Sequence, residues 1–145
     1  MKKAVIDASV VLKWYLVDEE LEDRALRILE DHSEGRVSLC APELLSYELA
    51  NGLVIAGRRG RLGAPEIVDA LKGFWALQVE VVAAQQISAK LPNLCATYGI
   101  SAYDASYAAA AQLLEAPLIT ADERLFQALK GAKGRVIRLA DQKRR

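Results

Sequence analysis

Short apolar runs alternate along the chain with longer segments in which apolar residues recur every three or four positions. The first kind reads as buried strand, the second as helix with one face packed inward. Strands are expected at 3–6, 37–40, 79–82, 118–120 and 135–139. Helices are expected at 10–16, 19–30, 42–57, 65–77, 85–98, 101–116 and 122–131. In the second helix Leu21, Ala25, Ile28 and Leu29 share one face, charges occupy the other, and Gly35 closes it. Pro42 and Pro65 suit the first turn of a helix, where the missing N–H would be unpaired anyway. Pro92 marks a break within 85–98, and GRRGRLG at 57–63 reads as loop. Strands alternating with helices predict an α/β protein, a three-layer α/β/α sandwich about a central, mainly parallel sheet. Without repeats or low-complexity segments, 1–145 is expected to form a single domain, with a frayed basic tail at 141–145.

Composition narrows the function classes. The 145 residues suffice to bury a core without disulfide or metal staples. At 52% hydrophobic, the chain has apolar surface to spare for a subunit or partner interface. Nineteen lysines and arginines balance nineteen acids, so nucleic-acid binding has no support from net charge and would rest on local patches. The candidates are Arg58, Arg59 and Arg61 in the loop, Lys143, Arg144 and Arg145 in the tail, and Lys13, which interrupts an apolar segment. Solvated loop charges and a snorkelling lysine are the plainer readings. Cys40 and Cys95 sit among apolar neighbours without CxxC spacing and read as buried thiols. Asp7 and Lys13 break the apolar segment after MKK, which argues against a signal peptide, and no uncharged apolar run reaches the roughly 18 residues of a membrane span. A cytoplasmic protein without membrane association is expected.

Four acids stand out by context. Asp7 interrupts an apolar run at the end of the first strand, as a helix cap or as a charge with a partner. Glu48 shares a helical face with Leu44, Leu45, Gly52 and Ile55, an unusual place for a carboxylate, with Asn51 one turn on. Asp104 follows Ser101 at capping-box spacing, and Thr120 and Glu123 bracket Asp122 at the same spacing. Each has a structural explanation on its own. Together, Asp7 and Asp122 fall just past the carboxyl ends of strands, where parallel sheets form their crevices, and Asp104 begins the helix leading to the Asp122 strand. Four carboxylates gathered there would either hold protons or be neutralised by divalent cations, and hard oxygen ligands favour Mg²⁺ or Mn²⁺.

Other chemistries lack parts. His32 is the single histidine, ends a charged helix and reads as solvated. A histidine-pair ribonuclease is thereby excluded, and Ser9, Ser46, Ser101 and Ser106 have no histidine base. There is no P-loop, no GxGxxG and no zinc-ligand set.

The segments VIDASVVLKWYL, PELLSYELANGL, SAYDASYAAAA and LITADERL, in this order and spacing, resemble the PIN-domain ribonucleases, in particular the VapC-type toxins of prokaryotic toxin–antitoxin pairs. The resemblance implies the sandwich fold, Mg²⁺- or Mn²⁺-dependent cleavage of RNA phosphodiesters, dimerisation, and silencing by a cognate antitoxin. Asp7, Glu48, Asp104 and Asp122 match the four acidic positions, and Thr120 the hydroxyl residue two before the last acid. Asn51 and Ser9 match polar residues common after the glutamate and the first aspartate. In this reading Asp7 and Asp104 hold the metal most directly, Asp122 and Glu48 complete the site, and Thr120 positions the attacking water or a carboxylate. The alternative is a PIN-like RNA-binding module in RNA processing, without a toxin role or turnover. A phosphoacceptor domain fits poorly, because Asp7 is followed by Ala8 and Leu139 by Ala140 where adjacent acids and a lysine are wanted.

Overall fold

The computed structural model describes residues 2–132 and 134–142. Lys143, Arg144 and Arg145, read as part of the basic tail, lie outside the described residues. The chain runs β1 (Lys2–Ile6), α1 (Ala8–Tyr15), α2 (Glu22–Ser33), β2 (Val37–Pro42), α3 (Leu44–Arg58), α4 (Ala64–Ala76), β3 (Glu80–Val82), α5 (Ala84–Ile87), α6 (Leu91–Tyr98), α7 (Ala102–Leu114), β4 (Leu118–Thr120), α8 (Glu123–Leu129) and β5 (Val136–Arg138). Short 3₁₀ turns follow α5 and β5. None of the described helices is long and apolar enough to cross a membrane.

The five strands form one sheet in the order β3-β2-β1-β4-β5, and every pairing is parallel. Central strands of such a sheet are covered on both faces and read as continuous apolar runs. Accordingly Ala4, Val5 and Ile6 of β1 and all of β4 are buried. From β1 the chain steps to β2 and β3 on one side, then returns to β4 and β5 on the other. Right-handed crossovers put α1–α4 on one face of the sheet and α5–α8 on the other, which gives the expected three layers. The reversal between β1 and β4 opens a crevice at the carboxyl edge, the usual place for a site in such sheets.

Helix α7 carries the second layer. Its buried Ala105, Ala108, Ala109 and Ala110 let it pack closely on β1, β2 and β4, and Tyr107 is the one large side chain it buries. On the other face α1 approaches α3 at Gly52, where an added Cβ would stand 2.8 Å from both methyl carbons of Leu12. Gly52→Val is therefore expected to destabilise the protein by about 1–3 kcal/mol through overpacking, read as a lower urea midpoint at unchanged slope. An unchanged midpoint would mean that α1 and α3 are not held this close.

Several boundaries differ from the sequence reading. Pro42 ends β2 instead of starting α3, a position where its missing N–H leaves no ladder bond unmade. Glu43 then donates its N–H to the Val82 carbonyl, and the helix begins at Leu44. Helix α2 starts at Glu22, not at 19, because Asp18 and Leu21 both take left-handed backbone and turn the chain first. The helix at 85–98 is divided, with Pro92 in the first turn of α6. His32 is half-buried and bonded, not solvated: Nδ1 accepts the Leu39 N–H at 3.1 Å, so Nε2 donates to the Leu77 carbonyl at 2.7 Å. Cys40 is buried, whereas Cys95 is half-buried.

Candidate active site

Asp7 sits where β1 hands over to α1, in the N-cap position, yet its carboxylate makes no cap bond. It is only 5% exposed and is held by two hydroxyls instead. Ser9 Oγ donates to Oδ1 and Thr120 Oγ1 to Oδ2, each at 2.5 Å. Each hydroxyl in turn accepts a backbone N–H from the turn after β4, Ala121 to Ser9 and Asp122 to Thr120, both at 2.9 Å. Asp7 is thus clamped between the ends of two neighbouring central strands. Burial pushes its carboxyl up to about 6, against the pull of the two hydroxyl bonds, and the nearby charge of Asp122 adds to the rise.

Glu48 reaches the same edge from α3. The buried stripe of that helix is Leu45, Leu49, Leu53 and Ala56, and Ile55 is exposed, so Glu48 lies on the flank of the core instead of in its middle. Its carboxylate meets α7 from the opposite layer, where the buried Tyr107 hydroxyl donates to Oε1. Burial raises Glu48 above the usual carboxylate range and Asp104 adds to that, while the Tyr107 bond opposes it. Tyr107 itself is pushed far above the usual phenol range, first by burial and then by Glu48. It remains a neutral donor. The sequence reading did not single out Tyr107; its signal was a large polar-tipped residue three positions after Asp104 in a run of alanines.

Asp104 and Asp122 form the outer half of the site. The Asp104 N–H donates to Ser101 Oγ at 3.1 Å, as capping spacing predicts. Asp122 is itself the N-cap of α8, its Oδ1 accepting the Leu125 N–H at 3.1 Å, in place of the expected Thr120. The free carboxylate oxygens of both acids face Arg124, with Nη2 3.1 Å from Asp104 Oδ2 and 3.8 Å from Asp122 Oδ2. The sequence reading missed Arg124 as well.

The four acids therefore come together as a ring of partnered groups. Asp7 feels Asp122, Glu48 feels Asp104, Arg124 bridges Asp104 and Asp122, and Tyr107 is coupled to both Glu48 and Asp7. Among the described residues, no three Asp, Glu, His or Cys side chains stand close enough to hold one metal ion. A cavity of about 580 Å³, lined by Gln112, Pro117 and Arg135, lies at the amino edge of the sheet and contributes nothing to this chemistry.

The remaining candidates are spread out. Asn51 is exposed on α3 with no bond to Glu48. Lys13 is half-buried near the end of α1 and makes no ion pair with the acids. Arg61 is tied to the α1–α2 connection, donating to the Val17 carbonyl at 2.9 Å and to Glu19 at 3.0 Å. Arg58 and Arg59 are exposed at the end of α3.

A family model described as the PIN domain matches residues 4–131. Ribonuclease VapC3 of Pyrobaculum aerophilum is 33% identical over 129 residues, covering 86% of this chain and 93% of that protein. Ribonuclease VapC9 of Mycobacterium tuberculosis is 36% identical over 121 residues, covering 83% and 87%. Among solved structures, a toxin–antitoxin complex from Klebsiella pneumoniae superposes with a TM-score of 0.62 at 19% identity, over 92% of this chain and 95% of the other, which shows the shared fold.

Proposed function

The chain belongs to the PIN-domain family, and we propose that it is a divalent-metal-dependent endoribonuclease acting in the cytoplasm as the toxin of a toxin–antitoxin pair. The relatives named as ribonucleases and the likeness to a toxin–antitoxin complex support the class of activity. What supports the site most is the convergence of Asp7, Glu48, Asp104 and Asp122 from four elements on one edge of the sheet.

The donor set fits a hard divalent cation. Every candidate ligand is a carboxylate or hydroxyl oxygen, and burial, with the charge of a neighbouring acid added, holds Asp7 and Glu48 above the usual carboxylate range. Asp7 and Asp104 would hold the ion most directly, with Asp122 and Glu48 completing the site directly or through water. When bound, such a cation supplies water activation and neutralises charge on the scissile phosphate. The chain's own part is positioning. Ser9 and Thr120 fix both oxygens of Asp7, and Tyr107 fixes Glu48. The Thr120 hydroxyl is engaged between Asp7 and the Asp122 N–H, so its role is to position a carboxylate and not a water.

Arg58 lies ten residues beyond Glu48 on α3, about 15 Å along the helix axis, a few nucleotides from the acids. Replacing Arg58 and Arg59 together by alanine is expected to weaken RNA binding across sequences and to lower the salt slope by about 1–2. A slope equal to that of the wild type would remove these residues from the RNA path. A protein partner, the cognate antitoxin or a second copy in a homodimer, belongs to the same reading. Exposed Tyr47 (75%) and Trp75 (53%) flank a groove of about 250 Å³ lined also by Pro42, Phe74 and Val81, the kind of apolar surface that partners cover.

Incubating purified protein with mixed RNA in Mg²⁺, Mn²⁺ or EDTA tests the proposal. Cleavage is expected in either metal and none in EDTA. Cleavage that persists in EDTA would contradict the metal dependence, and RNA bound but uncut under every condition would favour a binding module without turnover.

A further inference from the structure

The two halves of the acid ring are held by different means. Asp7 is buried between two hydroxyls, and Glu48 is bonded to a buried phenol. Asp104 and Asp122 are bridged by a side chain that is itself 71% exposed, Arg124. An exposed guanidinium holds its partners weakly, because solvent screens the attraction and the long side chain loses rotamer freedom. Arg124 also stands in the first turn of α8, where a cation gains nothing from the helix, so the two acids account for its position. Its charge sits on the outer acids, where a divalent cation held by Asp104 with Asp122 completing the site would need to bind.

We infer that Arg124 is an exchangeable counter-cation of the site, competing with the divalent ion for Asp104 and Asp122 and setting the metal concentration at which the site fills. This rests on the metal-dependent reading above. Without metal, the guanidinium neutralises the outer pair and keeps it from repelling. On loading, the ion takes the carboxylate oxygens and Arg124 swings to solvent without unpacking the core, since the guanidinium is on the outside. Lysine at this position, a point charge unable to span both acids, competes less well.

The test is direct Mn²⁺ binding, followed by the paramagnetic signal of the free ion, to the full chain as wild type, Arg124→Ala and Arg124→Lys. Thermal melting in EDTA checks that each variant folds. Arg124→Ala is expected to bind Mn²⁺ about 3- to 10-fold more tightly than wild type, the scale of a partly exposed ion pair. Arg124→Lys is expected between the two. Raising salt is expected to narrow the gap between wild type and Arg124→Ala. A folded Arg124→Ala that binds Mn²⁺ equally or more weakly would overturn the competition and make Arg124 a residue that orients the ligands. If the wild type and Arg124→Ala both fail to bind Mn²⁺ at millimolar concentration, the metal-dependent reading itself fails and takes this inference with it.

Discussion

Asp7→Asn is expected to abolish RNA cleavage, by about three orders of magnitude or more, while making the metal-free protein more stable. The two effects have one cause. The folded-state pKa of Asp7, about 6, lies above its unfolded value of 3.8, so the folded protein binds this proton more tightly than the unfolded chain does. Ionised Asp7 therefore opposes folding. The penalty is absent below the unfolded value, grows between about pH 4 and 6, and is complete above the folded one. Roughly two pKa units correspond to about 3 kcal/mol. Asparagine removes the charge but donates where the carboxylate accepted, giving back about 1 kcal/mol through one of the hydroxyl bonds. At pH 8 in EDTA the variant is expected to melt a few degrees above wild type, and the gap is expected to close as pH falls towards 4. A variant that melts lower at pH 8, or that still cuts RNA in Mg²⁺, would mean that Asp7 is not a buried charge awaiting a cation.

Thr120→Val is expected to damage the site without touching an acid. Valine keeps the shape of this fully buried side chain but leaves Asp7 Oδ2 without its donor and the Asp122 N–H without its acceptor. Losing these partners is expected to cost about 1–3 kcal/mol of stability and about 10–100-fold in activity, as for other residues that orient ligands. With the hydroxyl gone, one of the interactions that lower the Asp7 pKa is lost. The acid limb of the pH–rate profile is therefore expected to move upward. Thr120→Ser, which restores the hydroxyl, is expected to return the limb most of the way. A Thr120→Val enzyme with the wild-type profile would show that the hydroxyl does not govern Asp7.

What could be read in the sequence follows from what each position answers to. The five strands and a mainly parallel sheet were legible because short strands alternate with helices along the chain and the central strands are apolar throughout, as in AVI and LIT. Asp7 and Glu48 were legible because each broke a local pattern, an apolar run and an apolar helical face, whereas Asp104 and Asp122 fit helix-capping spacing and stood out only by their places near the carboxyl ends of the strands and by the family resemblance. Their partners broke none. Tyr107 reads as one more core aromatic until α3 and α7 meet from opposite faces, and Arg124 reads as a solvated helix charge until α8 is set beside α7. Pro42 misled because two local rules apply to it, helix N-terminus and strand end, and β-pairing with β3 decided between them. His32 reads as solvated from its local sequence because its partners are backbone groups, the Leu39 N–H in β2 and the Leu77 carbonyl 45 residues away, that only the fold brings to it.

The account is tested most directly by the chemistry of the ends it leaves on RNA. If Asp7 and the acids around it direct water at the phosphate with a divalent cation, the 3′ oxygen leaves. Every cut made by the wild type in Mg²⁺ is then expected to carry a 5′-phosphate and a 3′-hydroxyl, with no such ends from Asp7→Asn. Cuts bearing a 5′-hydroxyl and a 2′,3′-cyclic phosphate would mean that the RNA's own 2′-hydroxyl is the nucleophile, and would contradict the mechanism.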